Sequence, residues 1–131
     1  MASPANGPPL KNLPPEAMSQ VAAYFQALSE PTRLQLLSFL CAGERKVGDL
    51  AELTGFTAAN VSRHLAVLAR QGVVKREARG TAVYYRIADD SVFALCDLVC
   101  GNIARKLESA ADGHKVFKKA ARGTALGKAR A

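Results

Sequence analysis

The 131-residue sequence predicts a winged helix-turn-helix, a mainly α fold that carries a β-hairpin. Three observations predict it. Apolar residues recur at helical spacing through residues 16–71. The period then changes to two on either side of Arg79-Gly80. Helical spacing returns after Asp89-Asp90-Ser91. The expected order is helix, helix, helix, helix, strand, strand, helix.

Residues 1–15 are rich in Pro, Gly and Ala without an apolar period, which predicts a disordered leader. Pro15 suits a first helical turn, and Met18, Val21, Ala22, Phe25 and Leu28 follow at helical spacing. Pro31 opens a second helix through Ala42, with Leu34, Leu37, Leu40 and Cys41 on one stripe and Gly43 as its stop. Residues 47–53 read as a short helix broken by Thr54-Gly55. Thr57, whose hydroxyl can accept from a first-turn amide, begins a longer helix to about residue 71. Val61, Leu65 and Leu68 are its inner stripe. Two short helices joined by a tight Gly-containing turn make a helix-turn-helix. Residues 73–77 and 82–87 are the paired strands, and 91–109 the final helix. Residues 110–131 hold no sustained apolar stripe and are expected as a frayed tail. The leader is thus 1–15, the folded domain 16–109 and the tail 110–131.

Composition narrows the function. Apolar residues at 49% and charged residues at 22% are ordinary for a soluble globular protein. Aromatics at 6%, with no Trp, leave few stacking platforms for single-stranded nucleic acid. No apolar run approaches the roughly 20 residues that span a bilayer, and the first residues lack the apolar core of a secretory signal. Three cysteines in such a chain suggest packing or thiol chemistry in the cytoplasm rather than a disulfide framework. An enzyme is not expected. There is no Gly-rich phosphate loop after a strand and no nucleophile–base motif. Ser62 and His64, two apart on one helix, point in different directions.

The net charge is +7, and its distribution is uneven. Residues 57–86 carry six basic side chains against one acid, Glu77. Residues 87–112 reverse this with five acids and two bases. Residues 113–131 carry six bases and no acid, so the tail can add nonspecific DNA contacts or serve only as a solubilising end. A helix of about 12 Å diameter fits the B-DNA major groove with its N-terminal half against base edges. That half of the fourth helix holds Thr57, Ala58, Asn60, Ser62, Arg63 and His64. Ala58 and Ala59 allow close backbone approach, while Asn60, Arg63 and His64 can donate to bases or phosphates. Lys75, Arg76, Arg79 and Thr81 in the hairpin can lie along neighbouring phosphates or a minor groove. The partner is therefore double-stranded DNA rather than a membrane.

Four ordered motifs carry a family resemblance. They are Glu30-Pro31-Thr32-Arg33-Leu34, Val47-Gly48-Asp49-Leu50-Ala51, the run from Val61 to Leu68, and Gly80-Thr81-Ala82-Val83-Tyr84-Tyr85. Together they resemble the ArsR/SmtB family of winged-helix repressors across residues 19–107. The resemblance implies a homodimer packed through its terminal helices, with two recognition helices about 34 Å apart on operator DNA. It also implies a cytoplasmic bacterial repressor, nucleoid-associated when bound and released by an effector. Two positions depart from the pattern. Ala58 stands where the family usually has a base-reading Gln, and Lys46 where it often has a serine cap.

The resemblance also supplies sensor positions to inspect. The family's Cys-Val-Cys metal site is here Lys46-Val47-Gly48, which cannot serve. Its zinc-type site on the last helix keeps Asp89, but Ser91, Asn102 and Arg105 take the other positions. The thiols remain. Cys96 and Cys100, four apart, share a helix face with Cβ atoms about 5–6 Å apart. That is too far for an unstrained disulfide and suits two thiolates on one soft ion. As(III) or Sb(III) takes three thiolates, the third from Cys41 or from a partner-chain cysteine. No cofactor is obligatory; such an ion, or another soft metal, is the expected inducer. A second reading is redox or persulfide sensing through Cys41 and Cys100, which face each other if their helices run antiparallel. A third is ligand-independent DNA binding, with the cysteines serving as small apolar packing residues.

Overall fold

The computed structural model describes residues 7–109 together with residues 119 and 120, so most of the expected tail lies outside the described residues. A single 3-10 turn, Leu10–Asn12, precedes α1 (Pro15–Leu28). Pro15 stands at the first helical position, where its missing N–H would have had no partner. α2 (Pro31–Leu40) starts the same way and is capped by Glu30, whose side chain accepts from the N–H groups of Thr32 (2.7 Å) and Arg33 (3.2 Å). Desolvation pushes the Glu30 carboxyl up, but those two N–H groups, together with His64 and the Thr32 hydroxyl, hold it below its ordinary range.

A two-residue strand, β1 (Arg45–Lys46), leads straight into α3 (Val47–Thr54). Gly55, with φ of 79°, ends α3 in the left-handed region that a side chain would resist. α4 (Ala58–Arg70) completes the helix-turn-helix. β2 (Val74–Arg79) and β3 (Ala82–Ile87) then form the hairpin, turning through Gly80 at φ 62°. α5 (Ser91–Lys106) closes the order and runs into a 3-10 turn, Leu107–Ser109. Among the described residues no helix is long and apolar enough to cross a membrane.

The sheet is antiparallel in the order β1-β3-β2, with Arg45 opposite Tyr85 and Lys46 opposite Tyr84. β1 was not foreseen, because two residues carry no period. Its pairing fastens the start of α3 to the hairpin. The pleat gives the hairpin two faces. Val74, Arg76 and Ala78 lie opposite Ile87, Tyr85 and Val83 on one; Lys75, Glu77 and Arg79 lie opposite Arg86, Tyr84 and Ala82 on the other.

Leu36, Leu50, Val61, Leu65 and Leu68 have no solvent exposure and form the centre of the core, with Val73, Tyr85 and Val92 around them. Burying each leucine contributes about 1.5–3 kcal/mol. The expected stripe of α4 is the buried one. That of α2 needs correction: Leu34 is 42% exposed, and Leu36 takes its place beside Leu37 and Leu40. Four leucines between positions 34 and 40 fit two helical registers, and packing against α3 and α4 selects one. In α1, Met18 (40% exposed) and Phe25 (49%) also face solvent, while Ala27 and Leu28 are buried.

Candidate nucleic-acid interface

The placement of α4 follows from its two ends and its inner side. The Thr57 hydroxyl accepts from the Asn60 N–H at 3.0 Å, satisfying one first-turn amide. Val61, Leu65 and Leu68 fix the inner side, so Ala58, Ala59, Ser62 and Arg63 stand in solvent. Arg63 donates to the Asn60 Oδ1, which joins two of the expected base-reading side chains into one hydrogen-bonded unit.

His64 is half-buried and turned toward α2. Its Nδ1 lies 3.1 Å from Arg33 Nη1. A guanidinium only donates, so Nδ1 accepts and the ring proton sits on Nε2. Arg33 also donates to the carbonyls of Ala27 (2.6 Å) and Gln26 (3.2 Å) at the end of α1. One side chain thus ties α1, α2 and α4 together. Sequence reasoning placed Arg33 in a motif without seeing this role, which depends on a contact 31 residues away.

The expected hairpin contacts divide between the two faces. Arg76 and Thr81 line a cleft of about 500 Å³ together with Ala58 and Ser62 of α4. Lys46, Val47 and Gly48, at the start of α3, complete that cleft and were not singled out as binding residues. Lys75 and Arg79 belong to the other face. Arg79 is held there by protein groups. Its Nη1 and Nη2 meet the two carboxylate oxygens of Glu44 at 2.7 and 2.8 Å, and Nη2 also meets Glu77 at 3.1 Å. The guanidinium lies over the Tyr84 ring, 4.3 Å from its centroid. Hydrogen bonding from Arg79 holds both Glu44 and Glu77 below the ordinary carboxylate range and raises the arginine in turn.

Residues 30–76 match the family described as bacterial regulatory protein, arsR family. A transcriptional repressor SmtB homolog of Synechocystis is 38% identical over 91 residues, which cover 66% of this chain and 69% of that protein. The chain belongs to the ArsR/SmtB family. This family consists of DNA-binding transcriptional regulators, not enzymes. A probable mercury resistance operon repressor of Streptomyces lividans is 38% identical over 71 residues, 54% of this chain and 57% of that protein. Among solved structures, the homodimeric winged helix-turn-helix DNA-binding domain of Mb0332 from Mycobacterium bovis is 34% identical with a TM-score of 0.61. It covers 84% of this chain and 93% of its own.

The three thiols of this ArsR-family chain stand in different surroundings. Cys41, half-buried at the end of α2, lines a second cleft of about 430 Å³ with Glu44, Arg86, Asp90 and Phe93. Cys96 packs against the core near Tyr24, whose hydroxyl pKa is pushed up by burial first, then by Asp89 and Cys96. Cys100 is exposed on α5. Among the described residues, no three His, Cys, Asp or Glu side chains are grouped to hold a metal ion. Cys41, one of the two expected sources of a third thiolate, is therefore not grouped with Cys96 and Cys100 within one chain. Phe93 marks the cleft of Cys41 on α5, and Cys100 lies two turns beyond it, about 10 Å along the helix.

Proposed function

We propose that this chain is a homodimeric repressor that binds double-stranded operator DNA and leaves it when a thiophilic effector binds. The observation that carries the reading is α4: capped by Thr57, anchored by three fully buried residues, and exposing Ala58, Ser62 and Arg63 beside the Arg76 cleft. Asn60, Ser62 and Arg63 read base edges, and Ala58 lets the backbone approach. Thr57 positions the helix, and His64 offers its Nε2 proton to a phosphate. Lys75, Arg76 and Thr81 contact the sugar–phosphate backbone. Such a protein works in the bacterial cytoplasm, on the nucleoid.

Dimerisation is supported by the apolar side chains that α1 and α5 leave in solvent. Leu98 is 72% exposed, Val99 47% and Ile103 39%, in addition to Met18 and Phe25. The homodimeric Mycobacterium bovis relative supports the same reading. Two copies of α4 then meet successive major-groove faces.

The effector is a soft metal or metalloid ion, As(III) or Sb(III) among them, held by Cys96 and Cys100. Their four-residue spacing supports this, as does the relative named for mercury resistance. Two thiolates at that spacing suit one soft ion, and a partner-subunit cysteine is the proposed source of the third. Bound there, the ion would supply strong thiolate bonds in the middle of α5. Reversing a 99:1 preference for the DNA-binding shape takes about 5.5 kcal/mol of differential binding. The test is operator release by As(III), Cd(II) and a polysulfide side by side, with thiol-blocked protein as control. Release by the metals that is lost in Cys96→Ser and Cys100→Ser supports the reading. Release by polysulfide alone, dependent on Cys41, assigns redox sensing instead, and no release by any of the three marks a ligand-independent repressor.

A further inference from the structure

We propose that Glu44 and Glu77 act as specificity-determining residues that withhold Arg79 from DNA phosphate and so limit nonspecific binding by the hairpin. The inference rests on the DNA-binding reading above. A guanidinium at a hairpin tip would ordinarily be the strongest phosphate ligand available there, because its planar fork matches two anionic oxygens. Here the fork is occupied: both terminal nitrogens bind the Glu44 carboxylate, and Nη2 also binds Glu77. These carboxylates take the place a phosphate would take.

Magnitude decides whether the occupation can compete. A single exposed ion pair contributes little, with a median of about 0–1 kcal/mol. This one has the features that raise it: bidentate geometry, a second carboxylate and an aromatic ring beneath the guanidinium. A DNA phosphate approaching Arg79 also meets two like charges, from which it is repelled. The Arg76 side chain, on the opposite face, makes no hydrogen bond or ion pair among the described residues and remains available. β1 explains why Glu44 can reach the tip at all. Pairing Lys46 with Tyr84 brings the segment before α3 alongside β3, next to the ring on which Arg79 lies.

The experiment measures binding of the full chain to a random-sequence duplex and to its selected operator across salt concentration. Log affinity falls with log salt at about 0.9 per phosphate neutralised. Freeing Arg79 in Glu44→Gln/Glu77→Gln is expected to steepen that slope by about one per protomer on the random duplex. Affinity for that duplex should rise several-fold at low salt, and the ratio of operator to random binding should fall. Adding Arg79→Gln to the double variant should return the slope to that of the starting protein, which separates the arginine from the change in overall charge. Arg79→Gln alone should leave the slope unaltered. The proposal is overturned if the double variant keeps the original slope, if the steeper slope persists without Arg79, or if Arg79→Gln alone flattens it. Absence of duplex binding by the starting protein would instead overturn the DNA-binding reading itself. All three side chains are exposed, so the variants are expected to fold, which circular dichroism and a urea midpoint verify.

Discussion

Arg33 and His64, on α2 and α4, are joined by a 3.1 Å hydrogen bond between Nη1 and Nδ1, while the rest of the same guanidinium closes the end of α1. α4 is thus linked to the helix that carries exposed Met18 and Phe25. Replacing Arg33 by Ala leaves the Ala27 carbonyl and the His64 ring without this donor, while the Gln26 carbonyl keeps its bonds from Ser29. We predict a loss of about 1.5–3 kcal/mol, the range for hydrogen bonds involving a charged group, read as a lower urea midpoint. Arg33→Lys should recover only part of it, since an ammonium cannot reach three acceptors in a planar fork.

Thr57→Ala should cost about 1 kcal/mol by removing the acceptor for the Asn60 N–H, and Thr57→Ser should restore it. Hydrogen exchange at Asn60 gives the local readout, accelerating in the alanine variant alone. Leu65→Ala, at a position with no exposure, should cost about 2–5 kcal/mol and lower the thermal midpoint of the whole domain.

These elements differ in how readable they are from sequence. The Thr57 cap and the Val61, Leu65, Leu68 stripe are local, set by residues three or four apart, and the expected α4 agrees with the structure within a residue or two. The hairpin is equally local: two alternating runs about Arg79-Gly80. β1 is not, because a two-residue strand is defined only by its partner Tyr85 and Tyr84. Leu34 misled because adjacent leucines satisfy two registers, and only the docking of α2 chooses. Arg79 was expected at phosphates on charge and position; its pairing with Glu44 spans 35 residues and leaves no trace in the pattern. The thiols repeat the lesson. The spacing of Cys96 and Cys100 is visible, whereas the placing of Cys41 and Phe93 on one cleft depends on tertiary packing.

The Glu44–Arg79–Glu77 contact should depend on pH in a defined direction. Both carboxyls titrate below their ordinary value of 4.5 in the folded protein. The contribution is therefore fully present above that value and is lost as pH falls through the lowered folded values. Tyr84 ring resonances and Arg79 side-chain signals should move together below about pH 4.5, with Arg79→Gln abolishing the transition. A transition centred above 4.5 would contradict the contact.

Leu98→Asp, on the most exposed large apolar side chain of α5, should convert the dimer to monomer in sedimentation without unfolding it. Operator affinity should fall by orders of magnitude as the second half-site contact is lost.

We propose that α4 reads duplex sequence in two symmetric copies. Selection of bound sites from a random duplex pool, repeated with Arg63→Ala, tests it most directly. The bound pool should converge on a two-fold symmetric site with half-sites about 10–10.5 base pairs apart or a multiple of that spacing. Arg63→Ala should weaken binding by about 1–3 kcal/mol and relax the preference at one position per half-site. Recovery of no enriched sequence, or of the same site at the same affinity without Arg63, would contradict it.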